Sequence, residues 1–225
     1  MTPMYRRRPS SGFGNPASGT NPARPRVKPL KRPRQARAKF TVQAIYDAFV
    51  RIWRAQGWSG VTTRAIAMET GVSIGTLYEY FPNKEALLSG YVRHCMDRLL
   101  EMLEEQVIAP ADLSWEERLH RLVRLTCGLH PELPPIDPGM LQLEGGIAEP
   151  KHHRRVYEEV SGKWIRAIAA CVDLPREPGK ETIEALFVAT WGARRYLLLL
   201  KSDEASVARY ADELERACRA RLREG

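Results

Sequence analysis

The chain has 225 residues, 44% apolar and 28% charged, with 35 Lys and Arg against 27 Asp and Glu for a formal net charge of +8. That length suits one large domain or two small ones. No run approaches the ~18 apolar residues of a membrane-spanning helix, and the composition excludes collagen-like, mucin-like and disulfide-scaffold classes.

The charge is unevenly placed. Residues 1–39 hold eleven Lys and Arg and no acid, whereas residues 40–225 hold 24 basic against 27 acidic groups, a net −3. Residues 1–35 also carry seven of the sixteen prolines. Such a stretch cannot bury enough apolar surface to offset its ordering entropy, so residues 1–36 are expected to be a disordered basic arm. Arg6, Arg7 and Arg8 are followed by no apolar segment, so no export signal is expected and the protein is placed in the cytoplasm. Cys95, Cys127, Cys171 and Cys218 lie 32, 44 and 47 residues apart, none in a CxxC pair. Reduced, mostly buried thiols are the expectation.

From residue 36 onward the apolar residues recur at helical spacing. Val42, Ile45, Phe49, Val50 and Trp53 predict a helix over 37–55, with Gly57 at its C-cap. Thr62 offers an N-cap for a short helix over 63–69, which stops before Gly71. A second short helix over 73–79 follows. Phe81 and Pro82 break the pattern, and Asn83 caps a long helix to about 106. Further helices are predicted near 114–129, 139–147, 151–172, 179–200 and 203–222. No stretch alternates with period two, so the fold class is all-α with about nine helices. The division is 1–36 arm, 37–90 helix-turn-helix domain, 91–225 larger helical domain.

Two helices of about two turns joined by a glycine-containing turn are the geometry that sets a second helix into a DNA major groove. Ile66, Val72 and Leu77 point to a core shared with Phe49, and Gly71 suits the positive φ of the turn. Thr63, Ser73, Gly75, Thr76 and Tyr78 are left on the outer face.

The string Gly71-Val-Ser-Ile-Gly-Thr-Leu-Tyr-Glu-Tyr-Phe-Pro-Asn-Lys84, after Thr62-Thr-Arg-Ala-Ile-Ala67, resembles the DNA-binding region of TetR-family transcriptional regulators. The resemblance covers about residues 38–90. Glu69 and Thr70 depart from it, standing where the family usually has small apolar residues. It implies DNA contacts from Thr62, Thr63, Arg64, Ser73, Ile74, Gly75, Thr76, Tyr78, Tyr80 and Lys84. Thr63 can donate to a phosphate at its helix start, and Ile74 or Thr76 can offer a methyl to thymine. Ile74 is nonetheless expected to be partly buried, and Tyr80 is as readily core as contact. Residues 40–90 hold four basic and four acidic groups. Lys31, Arg32, Arg34, Arg37 and Lys39 are therefore candidates to supply phosphate affinity, the alternative being a solvated tail.

Beyond residue 90 the pattern is generic. Phe187, Leu197, Val207, Tyr210 and Leu214 are candidate dimer-interface residues, since reading a palindromic operator requires two copies. Met102, Leu125, Met140, Leu143, Trp164, Ile168 and Trp191 are candidate liners of a pocket for an unknown small apolar or amphipathic effector. The Pro-rich segment 131–150 is the candidate coupling element. His94, Cys95, His152, His153, Glu158 and Glu159 form no metal or nucleophile motif, and the histidines are expected on a solvated face. No catalytic residue, cofactor, metal or membrane partner is expected. The reading is a homodimeric, ligand-released repressor of double-stranded DNA. The alternatives are an activator, or a ligand-binding or interaction protein of the same fold without operator binding.

Overall fold

The computed structural model describes residues 36–224. Arg34 and the rest of the expected arm before residue 36 lie outside the described residues.

The first helix, α1 (Ala36–Gly60), buries Val42, Ile45, Phe49, Ile52 and Trp53 along one stripe. Gly57 interrupts it at φ 66°, where the sequence predicts the helix end, and one further turn follows. Thr62 then caps α2 (Thr63–Thr70) by accepting the Ala65 N–H at 3.0 Å. Gly71 takes the left-handed conformation (φ 71°), which an L side chain resists, and so turns the chain into α3 (Ile74–Tyr80). Asn83 accepts the Ala86 N–H at 2.7 Å and starts α4 (Lys84–Met102). These starts and stops match the predicted ones to within a residue or so, apart from the extra turn of α1, because each depends on a local cap.

The end of α4 differs. Regular winding stops at Met102 rather than near 106, and a π-helical segment, Leu103–Ile108, carries the chain on. Two distant groups accompany the change. The buried Arg118 guanidinium donates to the carbonyls of Val107, Ile108 and Pro110, while Glu104 reaches out to Lys163 and Arg166. Carbonyls that a normal turn would have occupied are thus satisfied from another helix.

The remaining helices are α5 (Trp115–Thr126), α6 (Pro138–Ile147), α7 (Pro150–Ala169), α8 (Lys180–Leu199) and α9 (Glu204–Glu224). The described residues contain no strand. The fold is all-α. α4 runs unbroken through residue 90 and packs on α6 and α7, while α5 packs on α9 and α8 lies between α7 and α9. One continuous core results, from Phe49, Ile66 and Leu77 at one end to Trp164 and Phe187 at the other.

Candidate nucleic-acid interface and the cavity behind it

Ile66, Leu77 and Phe81 turn inward from α2, α3 and the residue that follows, and all are fully buried with Phe49. Val72 is half-buried. Their burial forces the opposite face of α3 outward. On that face Ser73 is first of all a cap: its Oγ accepts the Thr76 N–H at 3.0 Å and lies 2.9 Å from the Thr76 hydroxyl. Thr63, at the start of α2, holds its hydroxyl 3.3 Å from that of the exposed Tyr78. Two hydroxyls from different helices therefore converge on one outward spot. A Cβ placed on Gly75 would meet nothing closer than Ser73 Oγ at 3.7 Å. Nothing inside the protein requires glycine there, yet glycine in a helix costs about 0.5–1 kcal/mol relative to alanine. Arg64 is also exposed, as is Arg37 on the first turn of α1.

Two of the predicted contacts, Tyr80 and Lys84, are engaged within the protein, and Ile74 is more exposed than expected. Tyr80 is 7% exposed and stacks in the core beside Phe81, so its ring belongs to the packing of α3. Ile74 is the reverse: partial burial is expected from its apolar side chain, but it is 46% exposed, because the helix start projects it past the core. Lys84 does not extend freely. Its ammonium lies 4.2 Å above the Trp58 ring and donates to the Trp58 carbonyl, an anchorage of α4 on the end of α1. Glu69, which departs from the family pattern, pairs with Arg51 of α1 at 2.8 Å.

Behind this head, a cavity of about 340 Å³ lies between α4, α6, α7 and α8. Val92, Met96, Ile136, Leu141, Val156 and Trp191 give it apolar walls, and Glu144, His152, His153, Arg194 and Arg195 give it charge. Of the predicted liners only Trp191 faces it. Met102, Leu125, Met140, Trp164 and Ile168 are buried in the continuous core, and Leu143 packs against that core. Trp164 is locked there by donating its indole N–H to Thr126 Oγ1 at 3.0 Å. His152 and His153, expected on a solvated face, border the cavity; His153 is exposed as expected and His152 is half-buried. His94 stacks on Tyr46, and burial pushes the neighbouring Cys95 thiol up to about 12. Among the described residues no cluster of His, Cys, Asp or Glu could hold a metal ion, and no helix is long and apolar enough to cross a membrane.

The α8–α9 surface carries exposed apolar side chains. Val188, Tyr196 and Leu199 project from α8, Leu200 from the residue that caps it, and Tyr210 from α9. Of the predicted interface residues, Phe187 and Leu197 are buried within the protomer, whereas Tyr210 is exposed and Val207 and Leu214 are half-buried. The helical stripe named in the sequence is thus partly the inner face of α8, and the outer face is offset from it by one residue.

Comparison with known proteins bears on the head first. Residues 45–90 match the family described as "Bacterial regulatory proteins, tetR family". Over these residues the chain is similar to the DNA-binding domain of that family. A transcriptional repressor, DrrR1 of Streptomyces coeruleorubidus, is 31% identical over 98 residues, which is 42% of this chain and 33% of that one. The fatty acid metabolism regulator protein of Bacillus subtilis is 34% identical over 74 residues, 33% of this chain and 37% of that one. The chain thus spans about a third of the length of each of these relatives. The fold likeness extends further. A TetR-family regulator from Streptomyces coelicolor superimposes with a TM-score of 0.57 at 19% identity, covering 82% of this chain and 96% of that one.

Within this TetR-type architecture the sequence reading missed the cavity walls on α4 and α7 and the outer apolar row on α8. A signal for the first existed. Arg194 and Arg195 interrupt the apolar run of α8 at a point where a purely structural helix has no use for two adjacent cations.

Proposed function

We propose that the protein is a homodimeric, sequence-specific DNA-binding transcriptional regulator that reads a palindromic operator with the N-terminal half of α3 and responds to a small molecule in the cavity. The observation that carries this reading is the outer face of α3. It combines the converging Thr63 and Tyr78 hydroxyls, the exposed Ile74 and the uncovered Gly75. Hydroxyls position a phosphate backbone, methyl groups meet thymine, and a missing Cβ lets the helix approach base edges. Ser73, Thr76 and Tyr78 are assigned to the interface, with Thr62 and Arg64 beside it and Arg37 at its flank. Arg34 joins them if the arm follows the minor groove.

Dimerisation is assigned to the exposed row Val188, Tyr196, Leu199 and Leu200 together with Tyr210, Val207 and Leu214, a surface that a second copy of α8 and α9 would cover. Repression is adopted by analogy with the DrrR1 relative, whose name says repressor. A regulator acting on chromosomal DNA would work in the cytoplasm. Communication between the two sites would run through α6 and the segment before it. Ile136, Leu141 and Glu144 line the cavity, while the adjacent Pro135 carbonyl accepts from Tyr91 and Gly139 abuts the Trp53 ring of α1. A ligand that favours one placement of this segment shifts the head with it.

Selection of duplexes from a random pool by the purified protein tests the proposal. Enrichment of an inverted repeat with half-sites about one helical turn apart, roughly 34–36 Å, supports it. A pool that never converges contradicts it.

A further inference from the structure

Arg194 is the odd charge in the cavity. Its guanidinium lies against Gly128, where a Cβ would come within 3.1 Å of Nε, and stacks near the Trp191 ring at 5.2 Å. It makes no ion pair or hydrogen bond with any described residue. The ionisable groups that act on it are the thiols of Cys95 and Cys127, which burial raises to about 12 and about 11 and so keeps neutral. Burial pulls the pKa of Arg194 itself down. Burial pushes the carboxyl of Glu144, in the same wall, up, and His153 and Arg195 pull it only partway back.

An uncompensated, half-buried guanidinium is costly unless something bound supplies the opposite charge. Gly128 contributes by having no side chain to push the guanidinium aside. The rest of the wall, from Val92 and Met96 to Val156 and Trp191, suits a hydrocarbon body. The volume, about 340 Å³, sits at the small end of ligand cavities, about 300–1,000 Å³.

We propose that the effector is a compact amphipathic monoanion whose carboxylate, or an equivalent oxyanion, pairs with Arg194 while its apolar body lies against α4 and α7. The assignment rests on the reading of the cavity as the effector site. A cationic amphiphile is disfavoured because Arg194 already occupies the neighbourhood of the Trp191 ring and the wall carries two guanidinium groups, Arg194 and Arg195, against one carboxyl, Glu144.

The test uses three probes of one chain length, decanoate, decanol and decylamine, titrated into the full chain at neutral pH with tryptophan fluorescence as the readout. Decanoate is expected to bind at least about tenfold more tightly than either of the others, as a charge-assisted pair requires. Arg194→Met removes that preference, leaving decanoate and decanol alike. Without ligand, Arg194→Met unfolds at the same temperature as the wild type or a higher one, which a merely structural arginine would not allow. Should Arg194→Met fail to fold, Arg194→Lys is expected to keep the order of the three probes with weaker decanoate binding. Equal binding of the three probes, preference for decylamine, no decanoate binding at millimolar concentration, or a preference that survives Arg194→Met overturns the proposal. Decanoate binding that leaves the affinity for the selected operator unchanged separates the two readings: the anion site stands and its role as an effector site falls.

Discussion

The head and the body use glycine and charge in opposite ways. Gly75 leaves a gap that faces outward, beside neutral hydroxyls, and nothing in the protein fills it. Gly128 leaves a gap that faces inward, and a cation from α8 lies against it. The first arrangement suits a large surface that brings its own charge, and the second suits a small anion that enters a cleft between helices. The contrast teaches where specificity is kept. In the head it lies in shape and hydrogen bonding, in the body in one unanswered charge.

The largest effect is expected from breaking what the two regions share. Phe49 in the head and Phe187 in the body are both fully buried in one continuous core. Phe49→Ala and Phe187→Ala should each cost about 3–5 kcal/mol in urea unfolding, with one transition seen by all probes. A Phe187→Ala protein whose head stays protected in hydrogen exchange while the body exchanges would show two independent units.

Gly75→Ala sharpens the comparison. It should stabilise the fold by about 0.5–1 kcal/mol, yet weaken operator binding by about 1–3 kcal/mol as the added methyl crowds the groove. Opposite signs in unfolding and in binding are the expected signature, and equal signs would remove the functional reason for this glycine. Tyr78→Phe should leave the unfolding midpoint unchanged and cost operator affinity about 1 kcal/mol, one hydrogen bond to phosphate.

Much of the head is legible in the sequence because its boundaries are local. Thr62, Ser73 and Asn83 each cap the helix that begins at the next residue, and Gly71 turns within the same short segment. The body is legible as helices but not as a site. Periodicity says that Met102, Leu125 and Val92 are apolar, and cannot say which layer of side chains fails to close. Long-range partners decide that, as when Trp164 is drawn into the core by Thr126. The same holds for the π-helical segment, whose winding accompanies the reach of Arg118 and the pull on Glu104 from across the bundle. Tyr80 and Lys84 show the limit of carrying roles over by motif, since one is core and the other is held by Trp58.

The smallest effect concerns that π segment. Hydrogen bonds from Arg166 and then Lys163 hold the Glu104 carboxyl at about 2, against an ordinary 4.5. A depressed carboxylate stabilises the folded state fully above 4.5, and the contribution fades as the pH falls from 4.5 towards 2. Glu104 is partly exposed, so Glu104→Gln should lower the midpoint at neutral pH by only about 2 °C. The variant should also lose part of the wild type's acid sensitivity in that window, as scanning fluorimetry across pH would show.

The most direct test of the central assignment is the ratio of two affinities, for the selected inverted repeat and for a scrambled duplex of equal length, at one salt concentration. The wild type should prefer the repeat by at least roughly a thousandfold. Thr76→Ala should cut that ratio by about tenfold while leaving the scrambled duplex equally bound, because the residue meets bases rather than setting the charge. A wild type without preference, or a ratio untouched by Thr76→Ala, would contradict the assignment of operator reading to the start of α3.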